Sequence, residues 1–489
     1  MKGRLMIICV IIFTAVFSSC EITEEKNEKF NVLFIAVDDL RPELGCYGYD
    51  YMHTPHIDRL ASEGRIFKNH FVHAAACGPS RSTLLSGTRT TNWDIFKEIR
   101  ESGSKPDSIF SLPQLFKENG YTTIGIGKIS HQPGGVMDSL QTIHEVPYSW
   151  NQSYAPVGEW NEPWSAFFSY AGGRARTSYY NRPTNRTLSP YEAADVDDEG
   201  YADGLNADEA IKQLRELKDS TFFLALGFYK PHLPFNAPKK YWDLYDPNKI
   251  PEADYKKNPE NVGSEISLHS NNNSYEPRGT YTWPNDTLGW QITPEREKIL
   301  KHGYAAAVSY VDAQIGKVLD ELKSLGLDKN TIVVLWGDHG WHLGDYGLWG
   351  KHTNFDIALN SPLIIKQPQM NNPGQWADGM VETVDIFPTL AELCRLPTPS
   401  HLEGESFKPV IENPEAKLKE YVVGERDAWG VHGLTVRSEN YRLMVWIDKS
   451  TGDTLEINLF DNHEQPLPYR DISNNHPEIV KDLSKKLKN

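Results

Sequence analysis

The sequence predicts an α/β protein built on a doubly wound, mostly parallel sheet, followed by a smaller C-terminal α+β domain. Three observations carry this. Asn31–Val37 and residues 331–336 are continuous apolar runs of strand length, as expected of central strands covered on both faces. Helical patterns lie between such runs, clearest at Tyr304, Val308, Val311, Ile315, Val318, Leu319 and Leu322, whose three-and-four spacing marks one buried face. After about Pro397 the runs shorten, which reads as a change of architecture. At 489 residues the chain exceeds one ordinary core, in keeping with a large domain plus a small one.

In chain order, Lys2 and Arg4 precede an apolar run over residues 5–17, and Ser18-Ser19-Cys20 follows, the three-part form of a secretory signal. Cys20 directly after two small residues looks like a bacterial lipoprotein cleavage site, with Phe17 where Leu is usual. A conventional signal peptide or a retained anchor would be the alternatives. Residues 1–20 are therefore expected to be a lipoprotein signal peptide and 21–29 a polar tether, giving an exported, periplasmic or outer-membrane-anchored protein that meets the membrane only through lipid on Cys20. No later stretch is long and apolar enough to span a bilayer.

The catalytic domain is expected over residues 30–396. Its first strand runs straight into Asp38 and Asp39, and the run at 331–336 leads into Gly337-Asp338-His339-Gly340. Further strands are expected at 121–126, 221–228 and 363–365. In doubly wound sheets ligands gather at the carboxyl ends of the strands, so the two acidic pairs should converge despite their distance in sequence. Residues 150–203 and 261–293 show no sustained periodicity and read as long insertions at the rim of the site. Residues 397–489 hold short runs at 434–437, 441–446 and 454–460 and a polar helix from Pro477, the pattern of a small antiparallel sheet with a helix.

A net charge of −16 argues against a general nucleic-acid surface, although a few clustered cations still allow a polyanionic substrate. The five cysteines are Cys9, Cys20, Cys46, Cys77 and Cys394; once the signal region is set aside too few remain for a disulfide framework. Pairing of Cys46 with Cys394 stays open.

Adjacent carboxylates at a strand end raise each other's pKa unless a cation lies between them. Alone, Asp38-Asp39 would more often be a cap or a solvated turn. With Asp338-His339 at a second strand end, a divalent metal becomes the stronger reading. Oxygen donors favour calcium, while His339 keeps manganese and zinc in competition.

Cys77-Gly78-Pro79-Ser80-Arg81, followed by Ser82-Thr83-Leu84-Leu85-Ser86-Gly87, resembles the signature of the type I sulfatases. In that family the Cys is oxidised to formylglycine by a maturation enzyme. The aldehyde hydrates to a geminal diol: one hydroxyl attacks sulfur, and the other later loses its proton so that the sulfate ester collapses to aldehyde and free sulfate. Serine would form the ester without that exit. Ser86 stands where the signature usually has Thr. The ordinary alternative is a small buried thiol at a turn before a helix.

The resemblance extends to the iduronate-2-sulfatase group of that family through Val37-Asp38-Asp39-Leu40-Arg41-Pro42, Leu44-Gly45-Cys46-Tyr47-Gly48, Phe116-Lys117-Glu118-Asn119-Gly120-Tyr121, Lys230-Pro231-His232-Leu233-Pro234-Phe235 and Asp338-His339-Gly340-Trp341. It implies an alkaline-phosphatase-like fold and one calcium ion held by Asp38, Asp39, Asp338, His339 and the formylglycine of Cys77. It also implies that Arg81 holds the hydrated aldehyde, that Lys128 and His131 contact sulfate, and that His232, Trp341 and Lys351 complete the substrate site. Either His232 or Lys351 would protonate the leaving group, and Lys351 would serve a uronate carboxylate or the sulfate itself. The expected partners are a sulfated glycosaminoglycan oligosaccharide and the formylglycine-generating enzyme. The expected reaction removes a 2-O-sulfate from a uronate of heparan or dermatan type. Rivals are another sugar position, an unsaturated uronate, a phosphatase or phosphonate hydrolase on the same scaffold, and a glycan-binding protein with a degenerate site. Trp150, Trp160 and Trp164 are candidates for a sugar-binding wall, set against ordinary core packing.

Overall fold

The computed structural model describes residues 29–103, 110–138, 142–175, 188–262, 292–428, 430–464 and 467–487. The expected signal peptide with Cys9 and Cys20, all but the end of the tether, and most of the 261–293 insertion lie outside the described residues.

The larger part of the chain runs β1 (Asn31–Val37), α1 (Pro55–Glu63), β2 (Arg65–Phe67), α2 (Cys77–Ser86), α3 (Leu112–Glu118), β3 (Thr122–Gly127), β4 (Gln152–Tyr154), α4 (Ala202–Glu216), β5 (Phe222–Phe228), α5 (Pro294–Ser324), β6 (Thr331–Gly337), β7 (Leu363–Lys366), β8 (Gln375–Ala377) and α6 (Ile386–Leu393). These strands form one eight-stranded sheet in the order β8-β2-β7-β6-β1-β5-β3-β4. β1 lies at its centre, parallel to β6 on one side and β5 on the other, with Val37 opposite both Gly337 and Phe228. That register brings three strand ends into line, so Asp38, Asp338 and Tyr229 emerge side by side. β7 is the exception to the parallel rule, running antiparallel to both β6 and β2.

β1 has no polar face because both of its faces are covered. Leu33, Ile35 and Val37 join a core with α1, α4 and α5, while Val32, Phe34 and Ala36 join a second core with α2, α3 and α6. Each large apolar side chain so buried contributes about 1.5–3 kcal/mol relative to exposure. α5 begins at the cap Thr293, whose hydroxyl accepts from the Arg296 amide at 3.4 Å, with Pro294 in the first turn, and carries Glu295 and Glu297 at its start and Lys323 at its end, each charge suited to the helix dipole. Cys46 packs at the first core and Cys394 lies in the second, so the sheet separates them and both are free thiols.

Phe407, Val410 and Ile411 still pack into the second core, and the chain then enters an antiparallel meander of β9 (Tyr421–Ala428), β10 (Val431–Ser438), β11 (Tyr441–Asp448) and β12 (Thr454–Asp461). α7 (Pro477–Lys486) is amphipathic rather than polar: Leu483 is buried against Val436, Leu443 and Leu459. On the other face of this sheet Met444, Trp446 and Phe460 pack with Tyr346, Leu348 and Phe355, which ties it to the loops that follow β6. Among the described residues no helix is long and apolar enough to cross a membrane.

In the 150–203 insertion Trp150 is buried against Phe223 of β5, and Trp160 is buried with its indole nitrogen donating to the carbonyls of Tyr170 and Arg174, both at 3.0 Å. Both are anchors rather than a wall. Trp164 alone of the three reaches the site.

Candidate active site

Asp38 and Asp39 leave the end of β1, and the backbone of Asp39 turns into the left-handed region at φ +58°. A non-glycine residue holds that conformation only where its surroundings fix it. Here the Asp39 amide donates to Asp338 Oδ1 at 3.0 Å, and its carbonyl accepts from the buried Tyr304 hydroxyl of α5 at 2.9 Å. Cys77 opens α2, with Sγ 3.2 Å from Asp38 Oδ1, 3.4 Å from His339 Nε2 and 3.1 Å from Lys351 Nζ. One turn on, Ser80 donates to the Asp338 carbonyl, and Arg81 Nε donates to Asp338 Oδ2 at 2.9 Å. The Arg81 guanidinium also reaches the carbonyls of Lys128 and Ile129, which links α2 to the end of β3. A side chain at Gly227 would collide with the Lys128 carbonyl, so glycine there lets that turn close onto β5.

Three carboxylates and three cations thus share one buried cluster. Lys128 Nζ lies 2.5 Å from Asp38 Oδ2, and Lys351 Nζ lies 2.5 Å from Asp39 Oδ1. Burial pushes Asp38 up, but the charges of Lys128, Arg81 and Lys351 hold it well below the usual carboxylate range. Asp39 goes the other way: burial lifts it well above that range, Lys351 opposes, and Asp38 and Cys77 add to the rise. Burial, with Asp38 close by, pushes the Cys77 thiol up to about 12. An unmodified thiol here stays protonated at neutral pH and is a poor nucleophile.

The donor set suits a hard divalent cation. Ligand atoms of Asp38, Cys77, Asp338 and His339 lie within 4.8 Å of one another, as do those of Asp39, Cys77 and His232. Asp39 Oδ2 is buried without a hydrogen-bond partner, a costly state that a cation would relieve. His339 Nδ1 is 3.0 Å from the Gly340 carbonyl and takes the proton for that bond, which leaves the Nε2 lone pair facing Asp39 Oδ1 at 3.4 Å and Asp338 Oδ1 at 3.5 Å.

His232 sits beside this cluster on the loop after β5. Asp203 accepts from the amides of Tyr229 and Lys230, both at 2.8 Å, and Lys230 Nζ donates to the carbonyls of His232 and Pro234 at 2.9 and 2.8 Å. His232 Nδ1 is 2.7 Å from the Leu233 carbonyl, so Nε2 faces Asp39 Oδ2 at 3.8 Å. Burial and then Lys351 hold its pKa well below the usual imidazole value, so the ring is neutral. Burial and then Lys128 pull His131 down to about 3. His131 lies between Trp93 and Trp164, with ring centroids at 5.2 and 5.8 Å. Trp341, only 1% exposed, packs beside His232 and has Lys351 Nζ 5.2 Å from its ring centre; Lys128 Nζ sits 4.2 Å over Phe167.

The structure therefore brings Asp38, Asp39, Cys77, Arg81, Lys128, His232, Asp338, His339 and Lys351 into one cluster flanked by His131 and Trp341. Tyr304, Phe167, Asp203 and Trp93 were not singled out as functional from the sequence. Tyr304 reads there as one more core position of α5, and Trp93 lies in a stretch without periodicity. Only Asp203, a carboxylate in the first turn of α4, had a local signal.

A cluster whose donor atoms could hold a metal ion, set beside Cys77 at the strand ends of this sheet, suits a hydrolase of the alkaline-phosphatase-like fold. The chain belongs to the sulfatase family, whose model matches residues 30–395, and a model described as N-sulphoglucosamine sulphohydrolase, C-terminal, matches residues 344–489. It is a sulfuric ester hydrolase, and sulfatases generally use a formylglycine and a metal ion. Iduronate 2-sulfatase of Mus musculus is 33% identical over 415 residues, covering 78% of this chain and 71% of its own. Among solved structures, the phosphonate monoester hydrolase of Agrobacterium radiobacter superposes with a TM-score of 0.74 at 20% identity, covering 94% of this chain and 95% of its own. A structure described as a 2-O GAG sulfatase gives a TM-score of 0.67 at 20% identity, covering 94% and 91%. At these identities the two structures speak for the fold alone.

Proposed function

We propose that the protein hydrolyses the 2-O-sulfate ester of iduronate or a related uronate in heparan- or dermatan-type glycosaminoglycan fragments. The observation that carries this is the placing of two buried ammonium groups, Lys128 on Asp38 and Lys351 on Asp39, with Lys351 also 3.1 Å from Cys77 Sγ. The similarity to iduronate 2-sulfatase supports the sugar.

In this reading Asp38, Asp39, Asp338 and His339 hold one calcium ion with residue 77. When bound, the ion draws charge from the ester oxygens, and the hydrated formylglycine of Cys77 supplies the attacking hydroxyl. Arg81, fixed by Asp338, steadies residue 77. Lys128 and His131 bind the sulfate oxygens. The three carboxylates are balanced by Lys128, Lys351 and Arg81, so a divalent ion leaves the pocket with the net positive charge that an anionic ester needs. His232 meets the substrate neutral, with its one proton on Nδ1; the anionic ester raises its proton affinity, so that Nε2 takes up a proton from water as the substrate binds and then gives it to the departing alkoxide. Lys351, resting against Trp341, pairs with the uronate carboxylate. Export, with lipid on Cys20, would place this chemistry in the periplasm or on the outer membrane.

The test is release of inorganic sulfate from a uronate 2-O-sulfate disaccharide, its carboxyl-reduced analogue and a glucosamine 6-O-sulfate. Losing one partner of a partly desolvated ion pair costs about 2–5 kcal/mol, so carboxyl reduction should slow cleavage some tens-fold or more. Equal rates on the reduced sugar, preference for the 6-O-sulfate, or hydrolysis of a phosphonate monoester to phosphonate and alcohol with no release of sulfate from the sulfate esters would overturn the reading.

A further inference from the structure

Beside the catalytic cluster lies a cleft of about 380 Å³, within the range of small-ligand sites. One wall is the chain leading into α2, Ala74 to Ala76, with Pro79 and Trp93; the other is Glu425, Arg426 and Asp427 at the end of β9, with Lys449. Trp93 is 49% exposed yet held in place. Its ring lies over Gly78, where any side chain would collide with Cε3, and meets the edge of His131 with centroids 5.2 Å apart. A large ring so fixed loses little freedom on stacking a ligand, and it joins the cleft to the catalytic cluster. On the other side His352 lines the cleft next to Lys351, and its amide donates to the Ala75 carbonyl at 3.1 Å. The facing wall carries both signs of charge, with Lys449 Nζ 3.1 Å from Asp427 Oδ1. Paired charges of opposite sign offer donors and acceptors together, which suits hydroxyl groups better than a bare polyanion.

We propose that this cleft is a subsite for a sugar ring adjoining the sulfated unit, stacked on Trp93 and hydrogen-bonded to Asp427 and Lys449. The inference rests on the reading of the site as a glycan sulfatase and adds that the C-terminal sheet reads the neighbouring sugar. The enzyme is then tuned to oligosaccharides rather than to a lone sulfated sugar.

The experiment compares kcat/KM for a uronate 2-O-sulfate monosaccharide and a tetrasaccharide bearing the same ester, in the full chain and in Trp93→Ala and Lys449→Ala. Loss of the stacked ring should lower the ratio of long to short substrate about tenfold, and loss of the exposed ammonium about threefold. An unchanged ratio in both variants overturns the proposal, whether both rates fall together, as they would if Trp93 only buttresses His131, or neither moves. A parent enzyme that leaves both uronate esters intact overturns the substrate reading instead, and the same ratio on the sulfated sugar it does cleave decides the cleft.

Discussion

The catalytic cluster and the cleft beside it differ in burial, in charge pairing and in the parts of the chain that build them. Asp38, Asp39, Asp338 and His339 are wholly buried, and Lys128, Lys351 and Arg81 pair with the three carboxylates, while Asp39 Oδ2 and Arg81 Nη2 are left without a hydrogen-bond partner. They come from strand ends and a helix start whose positions the central core dictates. The cleft is lined by Trp93, 49% exposed, and by Asp427 and Lys449, whose side chains are 43% and 42% exposed. Its walls come from a loop and from a second sheet. Chemistry that needs charges held in place is thus built where packing fixes them, and recognition is built where a residue can change without disturbing the core.

Removing the nucleophile position should break this contrast most severely. Cys77→Ala is expected to lower turnover by a factor of at least about 10⁴, since residues acting as one catalytic unit fail together. Circular dichroism and thermal unfolding should stay close to the parent, because a methyl group fits the same buried turn. Retained turnover in the alanine variant would end the formylglycine mechanism.

Metal removal comes next. With chelator, activity should fall to background, and Asp38, Asp39 and Asp338 should repel one another across the site. A ligand at one hundred times its Kd stabilises by about 2.7 kcal/mol, or roughly 3 °C in Tm for a chain of this size. Calcium should restore both readings. A chelated protein with unchanged Tm and full activity would show that the cluster holds no ion.

The same contrast governs what the sequence reveals. β1 and β6 are legible because covering both faces of a strand demands an unbroken apolar run, and the acidic pairs that follow them are legible because strand ends are where such folds place ligands. α5 shows in its three-and-four spacing. The direction of β7 does not show, since strand polarity leaves no mark on composition. β9 escapes because Glu425, Arg426 and Asp427 interrupt its pattern, and those are the residues that line the cleft. Trp93 escapes for a related reason: its neighbours Gly78 and His131 are distant in sequence, and only the fold brings them to it.

His131 stands where the two regions meet, and Glu145 beneath it gives the smallest and most discriminating test. Glu145 is buried, accepts from the Gln132 amide at 2.7 Å and from the Ser130 hydroxyl, and so clamps the turn that carries His131. Burial pushes its pKa up to about 7, against the pull of those two hydrogen bonds. A folded pKa above the unfolded one means that its contribution to stability is complete below about 4.5 and is lost as pH rises through 7. Glu145→Gln does not titrate. Denaturant unfolding of the two proteins should therefore show the glutamine variant gaining on the parent by about 1–3 kcal/mol between pH 4.5 and pH 8. Its kcat/KM should fall about threefold or less, because the amide keeps one of the two hydrogen bonds to the turn. A stability gap that is flat across this range would mean that Glu145 does not titrate there. A loss of turnover as large as that of Cys77→Ala would move Glu145 out of the framework of the mouth and into the catalytic cluster.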